Sequence, residues 1–335
     1  MRVAVLSPIA WRTPPTEYGP WEQVASNVTE GLVDLGLDVT LFATGNSITK
    51  AKLLSITEQG YDEDKTLDAK VVECLHISNV MERASEFDII HNHFDFLPLS
   101  YSSLIKTPII TTIHGFSSKK ILPVYQKYNN TTSYVAISEA DKAVGLDYLA
   151  TVYNGLNVNE FTFVAQPDDY LLFFGRIHRD KGTLDAIKIA EQSKKKLYIV
   201  GLVQDHDYFE YEIKPRLSDQ IEYLGLAGPE RRNELLGGAL ALLHPIAFDE
   251  PFGLSVAEAM LCGTPVIAYN RGSMPELILN QKTGFLVSNV EQAVDVVNDL
   301  HQIKRLDCRT WAIDKFSKER MVQDYYTCYQ NILNR

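Results

Sequence analysis

Short apolar runs alternate with segments of helical spacing along almost the whole chain, and this alternation limits the fold more than any other feature. Each run is continuous and rich in β-branched residues, which is typical of parallel strands covered on both faces. The runs occupy residues 2–7, 38–43, 88–93, 108–114, 134–138, 170–175, 196–201, 221–225, 240–244, 265–269 and 284–287. Alternation of this kind predicts an α/β protein with doubly wound parallel sheets.

The length of the chain predicts two domains. A chain of 335 residues exceeds the usual size of one hydrophobic core, and the runs are too many for one sheet of this type. Turn-forming residues cluster in 154–168, and a fresh strand follows them. We therefore place one domain at 1–160 and a second at 161–316, with the option that a last helix at about 317–335 packs back onto the first domain.

Two further segments have a characteristic pattern. Residues 45–68 are mostly polar and rich in turn formers, which predicts a surface excursion. The last helix carries Met321, Tyr325 and Tyr329 at helical spacing, and such a stripe is more often packing than a site.

Charge and composition exclude several classes of protein. The net charge of −11 argues against a broad nucleic-acid surface, which needs clustered Lys and Arg. No run of eighteen apolar residues occurs, so no transmembrane segment is predicted, and the apolar start at 1–10 is interpreted as a first strand rather than a signal peptide. Four scattered cysteines without a CxxC predict neither a zinc site nor a disulfide framework, and Cys262 is expected in the core. We expect a cytoplasmic protein.

The segment from Glu250 to Glu258, followed by residues 259–268, gives the strongest functional signal. Its pattern is strand, loop, helix, glycine cap and strand, and Gly253 can start the helix with free backbone N–H groups at the carboxyl end of a strand. Glu250 precedes the helix whereas Glu258 lies in its second turn, so each carboxylate has its own task. A carboxylate accepts two hydroxyls at once, which suits a ribose diol or a sugar ring. If the two glutamates are considered in isolation, the favoured interpretation is that they are ordinary solvated residues of a helix.

Basic residues and histidines follow other strands. Arg176 and Lys181 lie in the loop after 170–175, where cations beside a helix N-terminus would bind a diphosphate, although two basic residues in a loop are by themselves more often solvated. His114 ends a strand, which is the functional position in such a sheet, with a structural histidine as the alternative. His91 and His93 are expected to line the same ligand-binding edge, without the spacing of a metal site.

Together these motifs resemble the retaining glycosyltransferases of family 4. The resemblance rests on Glu-Pro-Phe-Gly-Leu at 250–254, Glu-Ala-Met at 258–260 and Gly-Thr-Pro-Val-Ile-Ala at 263–268. It extends in order to Gly175-Arg176 with Lys181-Gly182, Thr112-Ile113-His114, His91-Asn92-His93 and Tyr18-Gly19-Pro20-Trp21-Glu22. It implies the GT-B fold, in which two Rossmann-like domains face each other across a cleft.

The resemblance also implies roles for single residues. Glu250 and His114 would contact the donor sugar and act in catalysis, while Glu258 would hold the ribose hydroxyls. The remaining substrate-binding positions are Arg176 and Lys181 at the diphosphate, the backbone amides of Phe252, Gly253 and Leu254 at the sugar, Leu226 at the base, and Gly19 in the first loop. The chain departs from the family at Pro20, where many members have a second glycine, and at Leu202-Val203, where a glycine-rich turn is common. The first change removes a backbone donor.

The expected activity is retaining transfer of a hexosyl group from a nucleoside-diphosphate sugar, with a UDP-sugar as the favoured donor, to an acceptor hydroxyl. The acceptor is a sugar, a lipid-linked molecule or a small molecule, peripheral membrane contact stays open, and a role in polysaccharide or glycoconjugate synthesis is expected. We predict no cofactor and no metal, and interpret the acidic triplets 62–64 and 205–207 as loop clusters. Two alternatives stay open: a sugar-nucleotide epimerase or hydrolase of the same fold, and a non-catalytic protein that binds sugar nucleotides.

Overall fold

The computed structural model describes residues 1–16, 19–116 and 119–334. The chain divides into two compact units: unit 1 is Met1–Gly155 with Lys318–Arg335, and unit 2 is Leu156–Ser317. The division falls at 155/156 rather than at the expected 160/161. Leu156 already belongs to unit 2, since its N–H donates to the carbonyl of Phe316 over 2.8 Å.

Strands and helices alternate through most of the chain. The strands are β1 (Arg2–Leu6), β2 (Asp38–Phe42), β3 (Lys52–Leu54), β4 (Ile89–Asn92), β5 (Ile109–Ile113), β6 (Ser133–Ala136), β7 (Tyr148–Thr151), β8 (Tyr170–Phe174), β9 (Lys196–Val200), β10 (Ile221–Tyr223), β11 (Ala241–His244), β12 (Val266–Tyr269) and β13 (Gly284–Val287). The helices are α1 (Pro20–Asp34), α2 (Ala69–Glu82), α3 (Leu122–Lys127), α4 (Thr183–Ser193), α5 (His206–Tyr208), α6 (Pro229–Gly238), α7 (Leu254–Leu261), α8 (Met274–Leu277), α9 (Val290–Val297), α10 (Arg305–Phe316) and α11 (Lys318–Leu333).

Each unit is built on one parallel sheet. In the described part of unit 1 the strand order is β3-β2-β1-β4-β5-β6-β7, and unit 2 has the order β10-β9-β8-β11-β12-β13. The order reverses next to β1 in unit 1 and next to β8 in unit 2. Open α/β sheets bind ligands beyond the carboxyl ends of the strands at such a reversal. The loops after β1 and β4, and those after β8 and β11, are therefore the places to look for a site.

Both faces of the unit 1 sheet are covered, as the continuous apolar runs predict. Val3 and Val5 of β1 belong to a buried cluster with residues of α1 and α11. Ala4 and Leu6 point the other way and pack with residues of α2. This alternation along one strand is the pattern of a sheet between two helical layers.

All eleven predicted strands are present, and the sheet of unit 1 contains two more. β3 lies inside residues 45–68, so the interpretation of that whole segment as a surface excursion was wrong, and β7 was not predicted. Both are edge strands of the unit 1 sheet. Their exposed or half-buried residues give no apolar run, because an edge strand buries less surface than a central one.

The tyrosines of α11 are buried and hydrogen-bonded. Tyr325 and Tyr329 are fully buried among the core residues of unit 1, so the prediction that this stripe is packing is confirmed. The Tyr325 hydroxyl lies 2.8 Å from Oγ1 of Thr112, and the Tyr329 hydroxyl lies 2.7 Å from Nδ1 of His91. A buried hydroxyl needs such a partner, since leaving it unpaired costs about 1–3 kcal/mol.

The described helices include none that is long and apolar enough to cross a membrane. The four cysteines are free, with Cys74 exposed and Cys262, Cys308 and Cys328 buried. Cys262 therefore lies in the core, as predicted.

Candidate active site

The loop after β8 brings Lys181 to the end of β11. Gly182 has φ of +74°, and a Cβ atom there would lie 1.9 Å from the carbonyl oxygen of Pro245. Only glycine allows this approach. The backbone N–H of Ala247 donates to the carbonyl of Asp180 over 2.8 Å and fixes the two loops together. The chain thus holds the start of α4 against the loop that carries Glu250.

Lys181 and Glu250 form an ion pair in this place. Nζ of Lys181 lies 2.5 Å from Oε2 of Glu250, and the two side chains are only 15% and 16% exposed. The ammonium also lies 4.6 Å from the centre of the Phe248 ring. Two residues that the sequence assigns to the diphosphate and to the sugar are therefore in direct contact. A charged pair with little water around it interacts more strongly than an exposed pair.

Gly253 opens α7 next to this pair. Its φ is +94°, and a Cβ atom would lie 2.8 Å from Cε of Met274 and 3.7 Å from Cγ of Glu250. Phe252 is buried, and its carbonyl accepts a hydrogen bond from Oγ of Ser273 over 2.6 Å. The first N–H groups of a helix have no intrahelical acceptor, so the amides of Gly253 and Leu254 mark a place for an oxygen-rich ligand.

Glu258 is buried on α7 and is paired with a cation that the sequence analysis missed. Arg232 of α6 lies 3.2 Å from Oε1 of Glu258, and its guanidinium stacks 5.3 Å from the centre of the Phe161 ring. Burial raises the pKa of Glu258, and the charge of Arg232 acts against this shift. Gly228-Pro229 is a sequence signal for a helix start, so Arg232 could be placed in the first turns of a helix. Its pairing with Glu258 depends on tertiary structure and could not be predicted.

His244 is a second residue that was missed. It ends β11, is buried, and its Nε2 has no hydrogen-bond partner among the described residues. Burial and the nearby charge of Lys181 lower the pKa of His244 to about 3, so the ring is neutral at pH 7. The signal was available: like His114, His244 stands at the carboxyl end of an apolar run.

Arg176 and Leu226 lie apart from the pairs described above. The guanidinium of Arg176 donates to Oε1 of Gln204, which follows β9. Within the described ranges it makes no hydrogen bond to Lys181, Glu250 or Glu258. Leu226 is 58% exposed and follows Gly225, whose carbonyl accepts from the N–H of Gly201 over 2.9 Å. Leu226 thus lies exposed beyond the carboxyl end of β10.

In unit 1, His114 follows β5 and is held by two neighbours. Its Nε2 lies 2.9 Å from Nδ1 of His93, and its ring stacks on that of Trp21 at 5.5 Å and 22°. Burial lowers the pKa of His114 to about 3 and also lowers that of His93. One neutral ring must donate to the other, so the tautomer of His114 is coupled to that of His93.

The other two predicted histidines differ from each other. His91 is fully buried with both nitrogens bonded, to Tyr329 and to Thr112, so its expected place at the ligand edge was wrong. Nε2 of His93 is buried without a partner among the described residues. No group of three potential metal ligands is found in the described part of the chain. Asp205 instead caps α5 through the N–H of Tyr208 over 2.9 Å.

Gly19 lies at the start of α1, and Tyr18 of the same motif lies outside the described residues. Gly19 has φ of +148°, and a Cβ atom there would lie 2.9 Å from Cβ of Pro15 and 3.0 Å from Oε2 of Glu22. The helix begins at Pro20, as predicted. Glycine at 19 thus lets the loop fold over the Glu22 carboxylate.

We expect Glu22 to make the stability of unit 1 depend on pH. Glu22 is 4% exposed, and burial, with Asp62 and Glu63 nearby, raises its pKa from 4.5 to about 7. The folded state then keeps a proton that the unfolded state loses, so this group lowers the free energy of unfolding as pH rises from 4.5 to about 7. The shift corresponds to an upper limit of about 3 kcal/mol.

Urea unfolding of wild type and Glu22→Gln at pH 5 and pH 8 measures this. The variant should gain stability relative to wild type between the two pH values. Glu82→Gln, at an exposed glutamate of α2, is the matched control and should not. Equal pH slopes for wild type and Glu22→Gln would contradict the assignment.

Comparison with known proteins places this geometry in a family. The sequence model of the family described as glycosyl transferases group 1 matches residues 159–311. A Klebsiella pneumoniae protein, described as an uncharacterized 41.2 kDa protein in the cps region, is 30% identical over 295 residues, which are 74% of this chain and 80% of that protein.

Two solved structures are similar over nearly the full chain. AviGT4, a glycosyltransferase involved in avilamycin A biosynthesis, is 23% identical, with a TM-score of 0.75 over 100% of this chain and 98% of its own. Anabaena HepE in complex with UDP-glucose is 20% identical, with a TM-score of 0.74 over 99% of this chain and 100% of its own. The fold is therefore GT-B. The segment that matches the family model contains both the Lys181–Glu250 and the Arg232–Glu258 pair. The chain therefore belongs to the group 1 glycosyl transferases.

Proposed function

We propose that the protein is a retaining glycosyltransferase of family 4 that moves a hexosyl group from a UDP-sugar to an acceptor hydroxyl. The Lys181–Glu250 ion pair is the observation that carries this proposal. A diphosphate would compete with Glu250 for the ammonium of Lys181. When Lys181 turns to the diphosphate, Glu250 is left with two oxygens that can accept sugar hydroxyls. Binding of the donor would thus place Lys181 at the diphosphate and free Glu250 for the sugar hydroxyls.

The other residues of unit 2 complete the donor site in this proposal. Arg176 joins Lys181 at the diphosphate, and the amides of Phe252, Gly253 and Leu254 meet the sugar. Arg232 holds Oε1 of Glu258, so the second oxygen is the one offered to the ribose diol. The backbone near Leu226 contacts the base. Binding of UDP-glucose by the structurally similar Anabaena protein supports the choice of UDP.

The transfer step needs charge stabilisation rather than a protein nucleophile. The acceptor oxygen forms its bond to the anomeric carbon on the face from which the diphosphate leaves, and the acceptor proton passes to the departing phosphate oxygen. Lys181, Arg176 and the start of α7 stabilise the charge that grows on the diphosphate. Neutral His114, held by His93 through Nε2, offers its other ring nitrogen to a sugar hydroxyl. The cps-region relative supports a role in polysaccharide synthesis.

A donor screen in chelating buffer tests the proposal. UDP-, GDP- and ADP-sugars are added in EDTA, and thermal unfolding and sugar transfer to a panel of saccharides are followed. A donor present at a hundredfold its Kd adds about 2.7 kcal/mol of stability. We expect UDP-sugars to give the largest shift and transfer to proceed without metal, since cationic side chains take the place of a metal ion.

Three outcomes would contradict parts of this. Loss of transfer in EDTA with recovery in manganese would overturn the metal-independent mechanism. Turnover of donor without any acceptor would favour a hydrolase or epimerase, and donor binding with no turnover at all would favour a non-catalytic binding protein.

A further inference from the structure

A pocket of about 500 Å³ lies in unit 1, beyond the carboxyl ends of β1 and β4 and beside the start of α1. Its described lining comes entirely from residues 8–97. The volume lies within the range of small-molecule sites, ~300–1,000 Å³. The pocket also lies at the reversal of strand order in the unit 1 sheet, where this kind of sheet binds ligands.

Aromatic side chains form much of the wall. They are Trp11, Trp21, Tyr61, Phe94 and Phe96. Flat aromatic faces cover the C–H faces of sugar rings, whereas the hydroxyls at the rim of a ring need polar partners. Trp21 also stacks on His114, so the pocket wall continues into the residue that we propose to contact the donor sugar.

The charged groups of the pocket are carboxylates. Glu22, Glu73 and Asp95 line it, and no Lys or Arg does so among the described residues. Asp95 has φ of +78° and accepts from the hydroxyl of Tyr125, which holds the carboxylate in place. Burial raises the pKa of Glu22 to about 7 and that of Asp95 to about 6. Added negative charge here would be opposed by the same environment.

This set of groups selects a ligand by its charge. At pH 8, above the pKa values of Glu22 and Asp95, these carboxylates are ionised and only accept hydrogen bonds, so they suit hydroxyl donors and cannot bond to a phosphate or another carboxylate. Without a cation in the described lining, an anionic ligand would meet repulsion and lose its own hydration.

We propose that this pocket is the acceptor subsite and takes a saccharide unit that carries no phosphate, sulfate or carboxylate. The inference rests on the proposed function, because an acceptor is needed only if sugar is transferred. It goes beyond that function by naming the class of acceptor. Phosphorylated sugars and acidic sugars are excluded by the carboxylates, and an uncharged ring is held between the aromatic walls.

Tryptophan fluorescence of the full chain at pH 8 provides the test. Of the three tryptophans, Trp11 and Trp21 line the pocket, whereas Trp311 belongs to α10 in unit 2. In the Trp311→Phe variant, the signal therefore comes from the pocket alone. The probes are the methyl glycosides of glucose, galactose, mannose and N-acetylglucosamine, together with the 6-phosphate of each sugar. At least one glycoside should change the fluorescence and bind roughly tenfold or more tightly than its 6-phosphate.

A charge reversal on α2 sharpens the test. Glu73→Lys places a cation in the wall and should move the preference toward the 6-phosphate by roughly tenfold or more. Glu82→Lys makes the same change at the exposed end of the same helix and should leave the preference unaltered. The Tyr61 hydroxyl is hydrogen-bonded to the Glu73 carboxylate. If Glu73→Lys does not fold, Glu73→Gln, which keeps a partner for Tyr61, should weaken the discrimination against phosphate.

The outcomes separate this inference from the proposed function. Equal or tighter binding of the 6-phosphates by wild type, or no fluorescence response to any glycoside, would overturn the acceptor class. Calorimetry with UDP on the same Trp311→Phe protein reports on unit 2. Absence of UDP binding there would overturn the proposed donor, whatever the pocket binds.

Discussion

Alanine in place of Lys181 is expected to lower kcat/KM for the donor by about 10²-fold or more, because a contact that strengthens as the diphosphate leaves is lost. Arg176→Ala should act in the same direction. Lys181→Ala also strands Glu250 in a site where each side chain of the pair is about 15% exposed, so some stability is lost with it. Lys181→Gln keeps a hydrogen bond to Glu250 without the charge and should show the same kinetic loss with less loss of stability.

Steady-state kinetics and urea unfolding of the same preparations decide this prediction. Lys195→Ala is the matched control, since Lys195 also forms an ion pair in unit 2, 2.6 Å from Asp169, but at a surface where Asp169 is 76% exposed. It should leave both kcat and KM near wild type. Near-normal kinetics for Lys181→Gln and Arg176→Ala would remove these residues from the diphosphate site.

Substitution of Glu258 and substitution of Glu250 should change different kinetic constants. The ribose stays on the leaving nucleotide throughout, so Glu258→Gln should mainly raise KM and weaken binding of free UDP. Glu250 faces the sugar in our proposal, where positive charge grows at the anomeric carbon. Glu250→Gln should therefore lower kcat by about 10²-fold. Because Glu250 competes for Lys181, UDP affinity should be unchanged or higher in that variant.

Glutamine is the better replacement at 258, because its side-chain oxygen can still accept from Arg232, whereas alanine leaves that guanidinium without this acceptor. Leaving a largely buried donor without an acceptor costs on the order of 1–3 kcal/mol and would obscure the binding effect. Calorimetric titration with UDP, together with steady-state kinetics, separates the effect on nucleotide binding from the effect on kcat. The assignment fails if Glu250→Gln abolishes UDP binding while Glu258→Gln leaves it intact.

The strands that carry the site could be predicted from sequence, whereas the contacts within the site could not. A run such as residues 170–175 is apolar because both of its faces are buried, and its end marks where Arg176 must lie. β3 and β7 were missed because an edge strand buries too little surface to require an apolar run. Burial on both faces gives a central strand its apolar run, and an edge strand lacks that burial.

Pairing between distant residues was beyond the sequence. Lys181 meets Glu250 because Gly182 allows two loops to touch, and nothing in either segment alone names the other as partner. Arg232 was missed for the same reason, since the carboxylate it pairs with lies on another helix. His244 is different: like His114 it stands at the carboxyl end of an apolar run, so its place at this edge of the sheet could be predicted from sequence.

The return of the chain to unit 1 has a consequence for its synthesis. Residues 318–333 fill the core beside α1, yet the ribosome makes them only after all of unit 2. At ~5–20 residues per second, unit 1 waits roughly 10–35 s for its last helix. During that interval the surface that Tyr325 and Tyr329 later cover is open, and Thr112 and Nδ1 of His91 lack the tyrosine hydroxyls that they later contact. The nascent chain therefore has to complete its second unit before its first, and until then it presents an apolar surface of the kind that chaperones bind.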